Sequence, residues 1–135
     1  GFQTNGPIFS SPCLFNDNLL IGCHDQSLYS IDLSQDEQAK LKWKCVFPSM
    51  IYASPFVRTH DEIALVGSTN GCLRLIKIPT GEIISEIELN DKGLFSSPIS
   101  YKNLIFIGSR DDFFYCYKLF VNRINNLLLR NEGEL

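Results

Sequence analysis

A short phrase, Ser-Ser-Pro or Ala-Ser-Pro, recurs three times, with Pro12, Pro55 and Pro98 spaced 43 and 43 residues apart. Each Pro closes a similar stretch: Ile8-Phe9-Ser10-Ser11-Pro12, Ile51-Tyr52-Ala53-Ser54-Pro55 and Leu94-Phe95-Ser96-Ser97-Pro98. About ten residues later an apolar run ends in Gly, as in Leu19-Leu20-Ile21-Gly22, Ala64-Leu65-Val66-Gly67 and Phe106-Ile107-Gly108. Several strand patterns within a period of roughly 40–50 residues are the signature of propeller blades. The expected fold is therefore all-β, a partial β-propeller of about three four-stranded antiparallel blades at 6–49, 50–92 and 93–119. Residues 1–5 fall where the last strand of a preceding blade should lie. The chain is expected to be a fragment of a larger propeller, because three blades cannot close a ring that needs roughly four to eight.

Each period divides into four strands. In the first they are Phe9–Leu14, Leu19–Cys23, Ser27–Asp32 and Lys40–Phe47. The fourth alternates, with Leu41, Trp43, Cys45 and Phe47 on one face and Lys40, Lys42 and Lys44 on the other, as in a half-exposed strand protected against edge pairing. Its counterpart Glu82–Leu89 sets Ile83, Ile87 and Leu89 against Glu82, Glu86 and Glu88. The second strands are apolar throughout, so both their faces need cover from neighbouring blades. Asn70-Gly71 is the strongest hairpin turn, since both positions tolerate positive φ; Asp25-Gln26 and Asp111-Asp112 fill the same slot less ideally. Pro79-Thr80-Gly81 marks a further turn. The third period has a third strand at Phe113–Leu119 but no alternating fourth. Its tail, 120–135, instead places Phe120, Ile124, Leu127 and Leu128 at the spacing of a short amphipathic helix.

Charge narrows the partners. Net charge is -3 and the Lys and Arg residues are scattered, so neither nucleic acid nor an anionic membrane has a basic patch to meet. No apolar run approaches the roughly 18 residues of a spanning helix, and the first residues do not resemble a signal peptide. The five cysteines, Cys13, Cys23, Cys45, Cys72 and Cys116, are odd in number and lack Cys-x-x-Cys spacing. Reduced thiols and a cytoplasmic location are expected.

The phrases Gly6-Pro7-Ile8-Phe9-Ser10-Ser11-Pro12-Cys13, Ile21-Gly22-Cys23-His24-Asp25 and Ile107-Gly108-Ser109-Arg110-Asp111-Asp112 resemble quinoprotein-like (PQQ-type) propeller repeats. Their order, ending on Gly-Ser-Arg-Asp-Asp and Tyr115-Cys116, is similar to the extreme C-terminus of the β-alanine-activating enzymes of the acyl-CoA synthetase family, over residues 1 to about 119. In that family an adenylation domain and a carrier domain precede the propeller and load an activated amino acid onto the carrier thiol. None of those catalytic parts maps onto a residue here. The resemblance implies a non-catalytic C-terminal module whose partners are other domains of a parent chain or a protein. The alternatives are an intracellular scaffold unrelated to adenylation and a piece of a quinone-dependent dehydrogenase.

Chemistry finds little support in the residues. The resemblance to true quinoproteins would bring an Asp base, a calcium site and adjacent cysteines, and no adjacent cysteines occur. Their docking pattern of a Thr-Gly turn with a downstream Trp survives in part, as Thr80-Gly81 in one blade and Trp43 in another, and Trp43 reads as a packing residue. No PQQ or other cofactor is expected in this segment. Gly67-Ser68-Thr69-Asn70-Gly71 has the glycine spacing of a nucleophile elbow but sits between strands and centres on Thr69. No phosphate-binding Gly-x-x-x-x-Gly-Lys-Ser/Thr loop is present. His24 and His60 lack ligand-like spacing, and Asp111-Asp112 is explained by turn bonding as well as by a cation. No catalytic or metal residue is assigned.

What remains is a face. In a four-strand meander the loops from second to third strand and the connections to the next blade lie on one side. That side gathers His24, Asp25 and Gln26, then Thr69 and Asn70, then Arg110, Asp111 and Asp112, with Pro48–Met50 and Asn90–Lys92 beside them. Loops on a rigid scaffold are where recognition usually sits. These residues are candidates for an interaction face; the alternative is that they are solvated turn residues.

Overall fold

In a computed structural model, which describes residues 1–35, 38–121 and 127–134, the chain forms twelve strands and, among the described residues, no helix. Blade 1 holds β1 (Cys13–Phe15), β2 (Asn18–Gly22), β3 (Ser27–Asp32) and β4 (Lys40–Val46). Blade 2 holds β5 (Phe56–Arg58), β6 (Ile63–Gly67), β7 (Cys72–Lys77) and β8 (Glu82–Glu88). Blade 3 holds β9 (Ile99–Tyr101), β10 (Leu104–Gly108), β11 (Phe114–Val121) and β12 (Leu127–Glu134). Each sheet is an antiparallel meander in chain order. Consecutive sheets stack face to face as in a partial propeller.

Period-two alternation builds the two cores. Ala64, Val66 and Ile76 of blade 2 turn toward Phe15, Leu20 and Leu28 of blade 1. Ile63, Leu65, Leu73 and Leu75 turn the other way, toward Ile105, Ile107, Tyr115 and Tyr117 of blade 3. All five residues of β6 are consequently buried, whereas β2 and β10 in the outer blades alternate buried and half-buried. The uniformly apolar second strands need two covering neighbours, and only blade 2 has both.

The first strands are shorter than the sequence suggests. Phe9–Pro12 is not strand; β1 begins at Cys13. Pro12 has no N–H to give a ladder, and a side chain replaces the backbone pair: Ser10 Oγ accepts from Gly22 N–H at 2.9 Å and donates to Gly22 C=O at 2.8 Å. Ser96 Oγ donates to Gly108 C=O at 2.6 Å in blade 3. The second Ser of each phrase links blades instead. Ser11 N–H donates to Ser54 Oγ at 2.7 Å, and Ser54 N–H donates to Ser97 Oγ at 2.9 Å, one repeat further on each time.

Two expectations need correction. The fourth strands do not alternate cleanly, because every β3-type strand pairs with its outer neighbour across a register shift: Ser30/Ile31, Leu75/Ile76 and Cys116/Tyr117. The bulge puts two outer residues opposite one. Leu41 and Ile83 thereby turn outward, 48% and 40% exposed, while Trp43, Cys45, Ile84 and Ile87 pack inward. Among its described residues the tail holds no helix, and blade 3 is not short of its outer strand. Phe120 lies in β11, and Leu127 and Leu128 lie in β12, paired with Val121 and Phe120 respectively. Ile124 falls outside the described residues. A short run such as Leu127–Leu129 fits helix and strand alike, and the unpaired edge of β11 supplies the ladder that decides it. Residues 1–5 form no strand, although Phe2 packs edge-on against Tyr29 at 6.1 Å.

Trp43 and Gly81, which the sequence leaves in separate blades, meet in space. A Cβ on Gly81 would lie 2.6 Å from the indole Cδ2, and the indole N–H donates to Ile78 C=O at 2.8 Å. Gly81, at φ +77, lets the outer strand of blade 1 dock on the turn that follows β7.

Candidate functional site

The loops after β2, β6 and β10 sit beside the inter-blade connections, as the meander requires. His24 N–H donates to Pro7 C=O at 3.1 Å, Thr69 N–H to Met50 C=O at 2.9 Å and Arg110 N–H to Gly93 C=O at 3.4 Å. Asn70 N–H donates to Ser49 Oγ at 3.1 Å, and Asn90 Nδ2 donates to Ser109 Oγ at 2.6 Å. Side chains of the eight candidates nevertheless divide into two groups.

One group is engaged in building turns. Asp25 Oδ1 accepts Ser27 N–H at 3.1 Å, its other oxygen takes the Tyr29 hydroxyl, and Lys44 Nζ lies 3.6 Å away. Asp111 repeats this, accepting Phe113 N–H at 3.2 Å and the Tyr115 hydroxyl at 2.5 Å. Asn70 occupies the same slot in blade 2 and accepts the Ser68 hydroxyl at 2.7 Å. The next position is left-handed in all three blades: Gln26 at φ +69, Gly71 at +84 and Asp112 at +70. Asp25, Asn70 and Asp111 are thus turn residues by their own bonding.

The carboxylates of Asp25 and Asp111 are both held below the usual range. Burial raises the Asp25 pKa, but hydrogen bonds from Tyr29 and Cys23 and the Lys44 charge outweigh it and hold it below the ordinary 3.8. The Tyr115 hydroxyl, opposed by burial and helped by Phe113 N–H, does the same for Asp111. A carboxyl whose folded pKa is depressed stabilises the fold above its unfolded pKa. That stabilisation disappears as pH falls through the folded value. We expect the urea midpoint of the chain to drop on acidification below about pH 4, and the drop to be shallower in a D25N/D111N variant. Parallel curves for the two proteins would count against this.

The other group points outward onto a row that sequence inspection passed over. Phe9, Tyr52 and Phe95, the aromatic of each repeat phrase, stand side by side, with ring centroids 5.0 and 5.4 Å apart. Phe9 is 54% exposed and Tyr52 37%. His24 packs against both Phe9 and Tyr52, at 4.5 and 5.3 Å, and its Nε2 is buried without a hydrogen-bond partner. Arg110 lies over the Phe95 ring at 5.0 Å, in cation–π geometry. The signal was available: one slot, aromatic in all three periods, immediately before a Ser/Ala-Ser-Pro. Thr69 and Asp112 flank this row; Gln26 is exposed at the rim.

On the opposite side, Asp61 and His60 converge on Arg58. Asp61 accepts from the guanidinium at 2.8–3.2 Å, and Arg58 also reaches His60 Nε2 at 3.0 Å, Ser100 Oγ at 2.5 Å and Lys102 C=O at 2.7 Å. Arg58 is 4% exposed and clips blade 2 to blade 3. No cluster of three or more His, Cys, Asp or Glu suited to a metal occurs among the described residues. All five cysteines are free thiols.

Trp43, the only tryptophan, has its ring against Gly81 and its N–H on Ile78 C=O. Asp25 and Asp111 are each tied to a tyrosine hydroxyl.

Comparison with known proteins sharpens the assignment of this segment. No family model matches the chain. It is homologous to a part of the β-alanine-activating enzymes: 33% identical to that of Mus musculus over 113 residues, 80% of this chain and 10% of that one. To the enzyme of Drosophila melanogaster it is 33% identical over 132 residues, 85% of this chain and 13% of that one. The chain therefore spans about a tenth of the length of the curated relatives it matches. Among solved structures it superposes on BamB from Moraxella catarrhalis with a TM-score of 0.74 at 10% identity, covering 93% of this chain and 34% of that one. A europium-containing methanol dehydrogenase gives 0.69 at 11% identity, covering 89% and 24%. The β-propeller domain of Myceliophteria thermophila Cps50 gives 0.68 at 14% identity, covering 90% and 42%. These establish the propeller fold alone.

Proposed function

We propose that this chain is the non-catalytic propeller module at the C-terminus of an ATP-dependent amino-acid-activating enzyme of the β-alanine-activating type, and that it works by contact with other domains of that enzyme or with a protein partner. The observation that carries the reading is the one-third identity to β-alanine-activating enzymes over four-fifths of the chain. The site geometry supports a contact role. The carboxylates are spent on turns, while the outward groups are stacked aromatics edged by Arg110 and His24, the chemistry of a protein-binding surface. Neither a quinone nor a metal belongs to this module in the reading, and its compartment is the cytoplasm.

The contact row is the part to test. In the full-length enzyme, Tyr52→Ala with Arg110→Glu should leave the propeller folded, since both side chains are exposed. Amino-acid loading of the carrier domain should fall by about tenfold or more, the effect of losing an aromatic and an Arg anchor. Full loading by a folded double variant would reject the assignment. Asp111 is unsuitable for charge reversal, because its bond to Tyr115 confounds folding with contact.

A further inference from the structure

Each repeat phrase turns an aromatic ring and a serine toward the same open side. In the middle repeat burial alternates: Ile51, Ala53 and Pro55 are buried, while Tyr52 is exposed and Ser54 half-buried, the period of an extended chain. Blades stand on both sides of this repeat, so the opening belongs to the face and not to a free end of the chain. Beside the rings of Phe9, Tyr52 and Phe95 runs a second line, made of hydroxyls. Ser11 N–H donates to Ser54 Oγ at 2.7 Å, and Ser54 N–H donates to Ser97 Oγ at 2.9 Å. The Ser54 and Ser97 oxygens therefore each accept a backbone N–H already. Among the described residues neither hydroxyl has an acceptor for its own proton.

A strip of aromatic rings lined by proton donors selects a ligand with free carbonyls, apolar rings and few N–H groups. An α-helix has its carbonyls bonded internally. A β-strand brings as many N–H groups as carbonyls, and the Ser54 and Ser97 oxygens that would receive them are occupied. A polyproline II segment meets all three conditions. Proline has no N–H, the helix has no internal hydrogen bonds, and one of its turns rises about 9 Å. That rise matches the reach of three rings whose neighbouring centroids are 5.0 and 5.4 Å apart. One end of the strip is charged. Arg58 and Arg74 each hold a carboxylate, whereas Arg110, exposed over the Phe95 ring, holds none among the described residues.

We propose that this strip is a docking site for a proline-rich, polyproline II segment of a protein partner, with an acidic residue at the end that reaches Arg110. Proline rings lie against Phe9, Tyr52 and Phe95, the recognition mode of aromatic-lined proline sites. Backbone carbonyls of the segment take the Ser54 and Ser97 hydroxyl protons, and its carboxylate meets the guanidinium in a charge-assisted pair. This occupant rests on the reading of the aromatic row as a contact surface and gives that surface its ligand class.

Fluorescence anisotropy of the full chain with a labelled peptide, two aspartates followed by eight prolines, reads the docking directly. The wild type should bind this probe at least about tenfold more tightly than a control with alanine in place of every proline, which is not preorganised. Tyr52→Ala should weaken binding of the proline probe by about tenfold or more, and Ser54→Ala by roughly threefold to tenfold, the loss of one hydrogen bond. Arg110→Glu should reverse the flank preference, favouring a probe that carries two lysines in place of the aspartates. Urea midpoints check that each variant folds. Should Tyr52→Ala be destabilised, the charge swap at exposed Arg110 carries the test. A wild type that binds no proline probe at up to about 1 mM, equal affinity for the alanine control, or an unchanged flank preference in Arg110→Glu would overturn the proposal. The contact role itself fails separately: a chain that ignores proline, while the Tyr52→Ala/Arg110→Glu enzyme still loses carrier loading, keeps the contact surface and loses this occupant.

Discussion

Gly71→Ala is expected to cost the chain on the order of 3 kcal/mol, against a total stability of about two to four times that for a domain of this size. Two effects coincide at Gly71. Its φ of +84 puts any L side chain in the left-handed region, and a Cβ would lie 1.7 Å from Asn90 C=O, backbone that has no rotamer to retreat to. The neighbouring blades separate the effects. Gln26 and Asp112 occupy the same turn slot at φ +69 and +70 and carry their side chains, so the dihedral alone is tolerable. The overlap with Asn90 is what makes glycine obligatory at this turn. The reverse change at the equivalent slot, Gln26→Gly, removes left-handed strain and should stabilise by about 0.5–1 kcal/mol, partly offset by the greater freedom of glycine in the unfolded chain. Urea denaturation of both variants at one fixed protein concentration tests the pair. A Gly71→Ala protein within 1 kcal/mol of wild type would show that the connection after β8 yields more readily than its geometry implies.

Much of the architecture could be read from the residues because the repeat writes it three times. The period gave the blades, the apolar runs gave the strands that need two neighbours, and the Asx-type residues gave the turns. What escaped depends on partners distant in the chain. The bulge opposite Ser30, Leu75 and Cys116 reverses which of Leu41, Ile83 and Ile84 face inward, and no residue within β4 or β8 announces it. Leu127–Leu129 became strand only because β11 had an edge to offer. Trp43 and Gly81 looked like remnants in different blades until the joint brought them together. At the candidate face, the carboxylates of Asp25 and Asp111 are occupied with their own turns. The aromatics of the repeat phrase, taken as markers of the period, form the outward row.

Arg74 is the residue that sequence reasoning had least means to find, since Cys72-Leu73-Arg74-Leu75-Ile76 reads as a strand with one charge facing water. It is instead 0% exposed. Its guanidinium lies over the Phe47 ring at 4.8 Å, donates to Ser68 Oγ at 2.6 Å and meets Glu86 Oε2 at 2.5 Å. Which of these holds the blade can be decided in advance. The Glu86 side chain is half exposed, so water and salt screen that ion pair and its share is small. Ser68 keeps a second partner when the guanidinium is removed, because its hydroxyl also donates to Asn70 Oδ1. Filling the space between Phe47 and β7 is therefore the larger contribution. Arg74→Ala, which empties that space and removes the charged hydrogen bonds, should cost about 3 kcal/mol. Arg74→Met, which restores most of the volume, should recover about half of that loss, while Glu86→Gln should change stability by less than about 1 kcal/mol. Urea midpoints of the three variants provide the order. If Met were no better than Ala, or if Glu86→Gln were as damaging as either, the ion pair rather than the packing would be what fastens blade 2 against Phe47.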